Sequence, residues 1–309
     1  MKLNLNLTSL LISLRKKFWK PVRQPDGFTF KSLTESGIRS EYLIKLYYII
    51  NVFVWIIQLR NWEEFRASIV LDPAWPLFWL NAGDSSGVLM QWLFAINLLF
   101  AVLAVYKTEY RWVRILNFLS VFMLSAAFNS DISGWEKMTE SFNYNLFSFL
   151  FIFLDYKAEG NRRKNWNFCY MVSICQILML ISYVHAAIWR IRISIHDWIQ
   201  GNQAILDWDG LGRSIRAMRY MTGSAGPLAE KILSVPIFSG AGLIFATLFE
   251  LVLLCFLFKP KYYRILGLEL VCLHLGFVLL FNFAFNEHLL LTALFLAGSP
   301  FLKYKLKSA

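Results

Sequence analysis

Charge is what this sequence has least of. Only 17% of its 309 residues are Asp, Glu, Lys or Arg, while 57% are hydrophobic and 17% aromatic. A soluble domain carries roughly a quarter of its residues as charges, so a soluble globular protein of this length is excluded, and the mean hydropathy of +0.49 agrees. Cysteine is scarce as well. Cys169, Cys175, Cys255 and Cys272 all lie inside apolar runs and no two stand at metal-ligand spacing. They read as small buried side chains rather than as disulfides or a metal site. HExxH, CxxC and P-loop patterns are all missing, which leaves zinc-protease and ATPase readings without support. Gly210 and Gly212 do not replace them, because no strand precedes them and the dinucleotide pattern is incomplete.

What is present is long, nearly uncharged hydrophobic sequence. Eight runs come close to the length of a membrane helix, about 20 residues with a tolerance of roughly 17–25: 41–59, 87–106, 112–129, 141–156, 168–190, 235–258, 264–283 and 285–302. The fourth is short and carries Asn143 and Asn145. The last two are separated only by a break around Ala284 to Glu287, and one kinked segment is the alternative.

The net charge of +11 is spread over short connections rather than gathered in a patch, so the expected partner is membrane lipid and not nucleic acid. With the N-terminus inside, the inner connections hold Lys107, Arg111, Arg114, Lys157, Arg162, Arg163, Lys164, Lys259, Lys261 and Arg264, and the tail adds Lys303, Lys305 and Lys307. Short outer connections hold Arg60, Arg66 and Lys137. This is the positive-inside pattern. The expected fold is an all-α integral membrane protein, a bundle of about eight transmembrane helices with both termini cytoplasmic, in a cell membrane.

Around the spans, residues 1–40 read as a cytoplasmic segment with an interfacial helix that stops near Pro21, because its apolar core LTSLLISL precedes the basic cluster instead of following it. Residues 41–302 form the transmembrane domain, with outer loops at 60–86 and 191–234, and 303–309 is a cytoplasmic tail. Arg213, Arg216 and Arg219 stand at helical spacing in the larger loop.

Two groups of polar residues could carry chemistry. At 1.5 Å per residue, Glu250 and His274 fall near mid-bilayer, with Gln176 at a similar level. A carboxylate alone in hydrocarbon costs several kcal/mol, so Glu250 needs a partner or a proton, and His274 is the nearest in depth. The second group sits at the outer end of the fifth span. His185, Trp189, Arg192 and His196 follow i, i+4, i+7, i+11 on one helical face, and Gln176, Tyr183 and Arg190 follow i, i+7, i+14 nearly opposite. Glu287 and His288 should arrive at similar height. Taken singly these residues read as helix-end anchors. Together they suggest an electropositive cavity facing outward, suited to a headgroup, a carboxylate or an oxyanion.

The run QILMLISYVHAAIWRI followed by HDWIQG resembles the signature helix of the HTTM superfamily, the membrane domain shared with vitamin K-dependent gamma-carboxylases. The pattern is a tyrosine, a small-residue pair, a basic residue and Trp-x-x-Gly, matched here by Tyr183, Ala186 with Ala187, Arg190, and Trp198 with Gly201. FELVLLC with Glu250 and LVCLHLGF with His274 extend the likeness over roughly residues 40–300. The bacterial sporulation-delaying protein B-like branch is most similar, through RRKNWN and AAIWRI. The resemblance implies a multipass protein that assists modification, maturation or export of a secreted toxin-like peptide together with a partner protein. Arg190, Glu250 and His274 would be its catalytic residues, and Tyr183, His185, Arg192, His196, Trp198, Glu287 and His288 would contact substrate. A quinone enters as a cofactor by resemblance only. The carboxylases place at the signature position a lysine that must lose its proton, and Arg190 stays protonated. Glutamate carboxylation is therefore not expected. A quinone- or lipid-linked enzyme and a non-catalytic docking platform are the alternatives.

Overall fold

The structure is a computed structural model that describes residues 30–65, 86–130, 140–158, 160–222, 226–281 and 286–301. The N-terminal segment expected to be interfacial, up to residue 29, most of the expected outer loop 60–86 and the tail lie outside the described residues. Among the described residues the fold is all-α, with no strand.

Helix α1 is Phe30–Phe65, α2 Ser86–Tyr106, α3 Arg111–Ser130 and α4 Glu140–Phe151. Helix α5 is Asn161–Ile199, α6 Gly210–Thr222 and α7 Ala229–Leu233. Helix α8, Pro236–Val252, continues as a 3-10 turn over Leu253–Phe256, and α9 is Tyr263–Phe281. Helix α10, Asn286–Leu291, widens into a π-helical turn at Thr292–Ala297. Each expected apolar run therefore contains a helix. Among the described residues three helices, fewer than the eight spans expected, are long and apolar enough to cross a membrane: Asn161–Ile199, Ile237–Phe256 and Pro260–Phe281. Gln91–Tyr106 and His288–Ala297 are shorter apolar helices. Outward faces of α2 and α8 are apolar, with Trp92, Leu99, Phe245 and Leu254 all exposed, which a lipid surround would accept without cost and water would not.

The boundaries differ from expectation where local packing overrides hydropathy. Helix α1 runs through position 40 without a break, because Leu33, Ser36, Gly37 and Ser40 form a buried stripe in which Gly37 and Ser40 meet α5 and the Ser36 hydroxyl donates to Pro300 O at 3.5 Å. The Ser40 hydroxyl donates to Cys169 Sγ at 3.8 Å, and Gly37 lies directly on Asn165. Helix α5 continues past residue 190 into what hydropathy assigns to a loop, reaching about 58 Å for its 39 residues. It stops at Gly201, whose φ of 71° is the left-handed position of a Schellman motif. There Asn202 N–H donates to Asp197 O at 2.8 Å and Gly201 N–H to Trp198 O at 3.1 Å.

The core is aromatic. Tyr47, Tyr144, Phe147, Phe151 and Phe295 bring α1, α4 and the π turn together, with ring centroids 5.1 Å apart for Tyr47–Phe151 and 5.2 Å for Phe147–Phe295. A smaller cluster of Leu211, Ile215, Ala229, Leu243 and Phe281 seats α6 and α7 against α8 and α9. The last two runs are separate helices, not one kinked segment. Arg264 Nε donates to Ser299 O at 2.7 Å, Gly267 lies against Leu296 and Ala297, and the His274 and His288 rings are 6.3 Å apart. Those pairings run in opposite senses, so α9 and α10 are antiparallel.

Candidate functional site

Helix α5 carries its polar residues at i, i+7 and i+14, and each meets a different neighbour. Gln176 is fully buried and donates to Phe295 O at 2.6 Å and Ser299 Oγ at 3.0 Å. It thereby supplies a donor to the carbonyl-rich π turn, where regular i→i−4 bonding is interrupted. Gln176 thus belongs with Arg264 and Ser299 at one end of α9, two turns away from the level expected for it.

Two turns further along, Tyr183 hydroxyl sits 2.6 Å from His274 Nε2 and 2.7 Å from Thr292 Oγ1. His288 closes this group from α10, with its ring centroid 6.1 Å from that of Tyr183. Asn143 Nδ2 is 3.4 Å from His288 Nε2, and Ser182 Oγ donates to Asn143 Oδ1 at 3.3 Å. Tyr183, His274 and Thr292 thus form one hydrogen-bonded group and Ser182, Asn143 and His288 a second, in contact through the Tyr183 and His288 rings.

Arg190 forms the next level. Its Nη2 donates to Glu250 Oε2 on α8, and its Nε folds back to Ala186 O at 3.4 Å. The side chains are 11% and 4% exposed, so this is a buried ion pair. The partner of Glu250 is therefore Arg190 and not His274, as its depth had suggested. Side chains on a helix lean toward its N-terminus. Arg190 and Glu250 lean toward each other along antiparallel helices, which erases the apparent difference in depth. That lean also brings the pair to within about one turn of the Tyr183–His274 contact, because Ala186 is only three residues from Tyr183.

The other expected site residues divide differently. His185, Arg192 and His196 are exposed on the opposite side of α5, away from the ion pair. They line no common cavity with Arg190, because the face at i, i+7, i+11 turns outward. Trp198 is also exposed, and its indole N–H donates to Asp207 Oδ1 at 2.6 Å. Asp207 in turn accepts from Ala204 N–H at 2.7 Å and from Arg213. Trp198 and Gly201 together end α5 and fold the chain back, so the Trp-x-x-Gly element is structural here. The Trp198 indole, with help from the Ala204 amide and Arg213, holds the Asp207 carboxyl below its usual range. Glu287 lies in α10, and its side chain is outside the described residues.

The loop 191–234 is not an electropositive surface either. Arg213 pairs with Asp209 and Asp207, Arg216 approaches Asp209 at 4.0 Å, and Arg219 pairs with Glu230. The three arginines at helical spacing thus have acidic partners nearby in sequence.

Several contributors escaped the sequence. Thr292 is a lone hydroxyl in an apolar run, and Ser182 lies inside the fifth span; neither type is rare enough to signal a role. Arg114 reads as one more inner-loop charge, yet it is buried and donates to Thr108 O, Ile152 O and Leu154 O, capping the end of α4. Among the described residues no three of His, Cys, Asp or Glu are grouped to hold a metal ion. No family model matches the chain, and no curated protein and no solved structure matches it.

Proposed function

We propose that this chain is an HTTM-type multipass membrane protein, with eight spans and both termini cytoplasmic, that assists modification, maturation or export of a secreted peptide with a partner protein. The observation that carries the reading is the buried Arg190–Glu250 pair beside the Tyr183–His274–Thr292 set. Taking two charges out of water costs several kcal/mol per ion, and a stable bundle is built as well or better from apolar side chains. A pair retained at such cost, next to two imidazoles and a phenol, suits binding and proton handling more than stability. Arg190 holds an anionic group, Glu250 accepts or releases a proton as that group arrives, and the Tyr183–His274 contact passes protons along. The peptide itself enters through the resemblance. The test is the secreted peptide set of cells lacking the gene: at least one peptide should be lost or chemically altered, and an unchanged set would reject the reading.

A second reading, a quinone- or lipid-linked enzyme at the outer leaflet, is favoured by one detail. Arg190 Nη1 has no hydrogen-bond partner among the described residues, although Nη2 and Nε are engaged. That leaves a charged donor able to hold a quinone carbonyl or a lipid phosphate, so the residues fit such a group. A bound quinone would supply two-electron redox chemistry; the chain's own part would be to orient it at Arg190 and move protons through Glu250. Quinone or lipid carried through purification of the wild-type protein and lost from Arg190→Lys would support this reading, and identical content in both would oppose it. The docking-platform reading is weakened by the internally paired arginines of residues 191–234.

A further inference from the structure

The largest unexplained group of polar atoms lies away from the ion pair, between α1, α2 and α3. Asn51, Asn97 and Asn117 are all fully buried. Ser120 Oγ donates to Asn97 Oδ1 at 3.0 Å and to Asn117 O at 2.8 Å, tying α3 to α2. The Trp55 ring packs on Phe94, centroids 6.1 Å apart. Asn51 is one turn before Trp55 and Asn97 one turn after Phe94, and the two helices are antiparallel neighbours. The amides of Asn51 and Asn97 therefore share a level, with Asn117 one turn away on the third helix. Both side-chain atoms of Asn51, both of Asn117 and Nδ2 of Asn97 have no hydrogen-bond partner among the described residues.

Such atoms do not stay unsatisfied in an apolar interior, where each costs up to several kcal/mol. The set combines amide donors with carbonyl acceptors and carries no charge, which matches water and no ion. Further unpartnered atoms mark a route outward. Tyr48 Oη lies one turn from Asn51, and Arg114 Nε one turn from Asn117. Arg114 in turn lines a cleft of about 520 Å³ bordered by Arg111, Trp112, Asp155 and Tyr156, on the side that the basic connections make cytoplasmic.

We propose that α1, α2 and α3 enclose a file of water molecules that enters at the Arg114 cleft and ends at the Asn51–Asn97–Asn117 layer. Each water needs two to four polar partners, and the amide layer, Tyr48 and Arg114 supply them in steps of one helical turn. Water is thereby carried to the middle of an otherwise apolar bundle. Only the cytoplasmic position of the entrance rests on the topology proposed above.

Radiolytic hydroxyl labelling in ¹⁸O water, on the full chain in lipid nanodiscs, tests this. Trp55 and Phe94 are only 3% and 5% exposed, yet both should take up ¹⁸O at a rate near that of exposed Trp112. In an Asn51→Leu/Asn117→Leu variant their rates should fall about five-fold while Trp112 stays constant. Glu250→Gln should leave all three rates unchanged, so failure of the ion-pair reading would not imitate failure here. Trp55 and Phe94 as protected as fully buried Phe147, or labelled equally with and without the amides, would overturn the proposal. If the double variant does not fold, Asn97→Ala alone gives the same comparison.

Discussion

At the scale of single residues the account turns on Arg190 and Glu250. Removing one member leaves the other charged, buried and unpaired, which costs about 3–5 kcal/mol. Arg190→Met and Glu250→Leu should each lower the thermal unfolding temperature clearly, whereas the double variant should recover most of the loss. Equal and additive losses would mean the two side chains do not depend on each other. Asp207 behaves in the opposite way, as a half-buried acid with a structural task. Because its folded pKa is depressed, the stabilisation it gives is complete above the ordinary carboxylate range and is lost as pH falls through the folded value. The fluorescence difference between wild type and Trp198→Phe should stay constant through neutral and mildly acidic pH, then change below the usual aspartate range. Asp207→Asn should abolish that acid transition. The sequence showed that Gln176, Tyr183 and Arg190 share one face of α5 through their seven-residue period, but not that this face is the inward one. It misassigned their partners, because depth counted from a helix end ignores how long side chains lean.

At the scale of elements, contact between helices depends on small residues and side-chain donors at particular levels. A Cβ at Gly37 would run into the Asn165 side chain. Gly37→Ala should therefore push α1 from α5 and destabilise by about 1–3 kcal/mol, and Asn165→Gly added to it should restore most of that in a thermal unfolding series. Gln176→Leu keeps the volume but removes the donor to Phe295 O and Ser299 Oγ. Loss of about 1–3 kcal/mol is expected, read again by unfolding, and no loss would mean the π turn does not need that amide. Helix positions were legible because each apolar run is long and bounded by charge or glycine. The end of α5 was not, since residues 191–199 are polar enough to read as loop and only the Gly201 turn stops the helix.

At the scale of the whole molecule, the described helices and their apolar outer faces agree with a membrane setting, and the proposed orientation adds a direction to it. Reporter fusions after Lys107, Lys157 and Lys259 should report the cytoplasm, and one after Asn202 the outer side. A reversed pattern at any of the four would remove that topology. Legibility at this scale was uneven. Hydropathy found the bundle, but the amide layer of Asn51, Asn97 and Asn117 is spread over three runs with no shared spacing, and only packing brings it together. The central claim is that the Arg190–Glu250 centre serves a secreted peptide. Its most direct test compares the secreted peptides of a gene-deleted strain complemented with wild-type protein and with Glu250→Gln at matched membrane levels. The account predicts that wild type restores the missing or altered peptide and Glu250→Gln does not; full restoration by Glu250→Gln would contradict it.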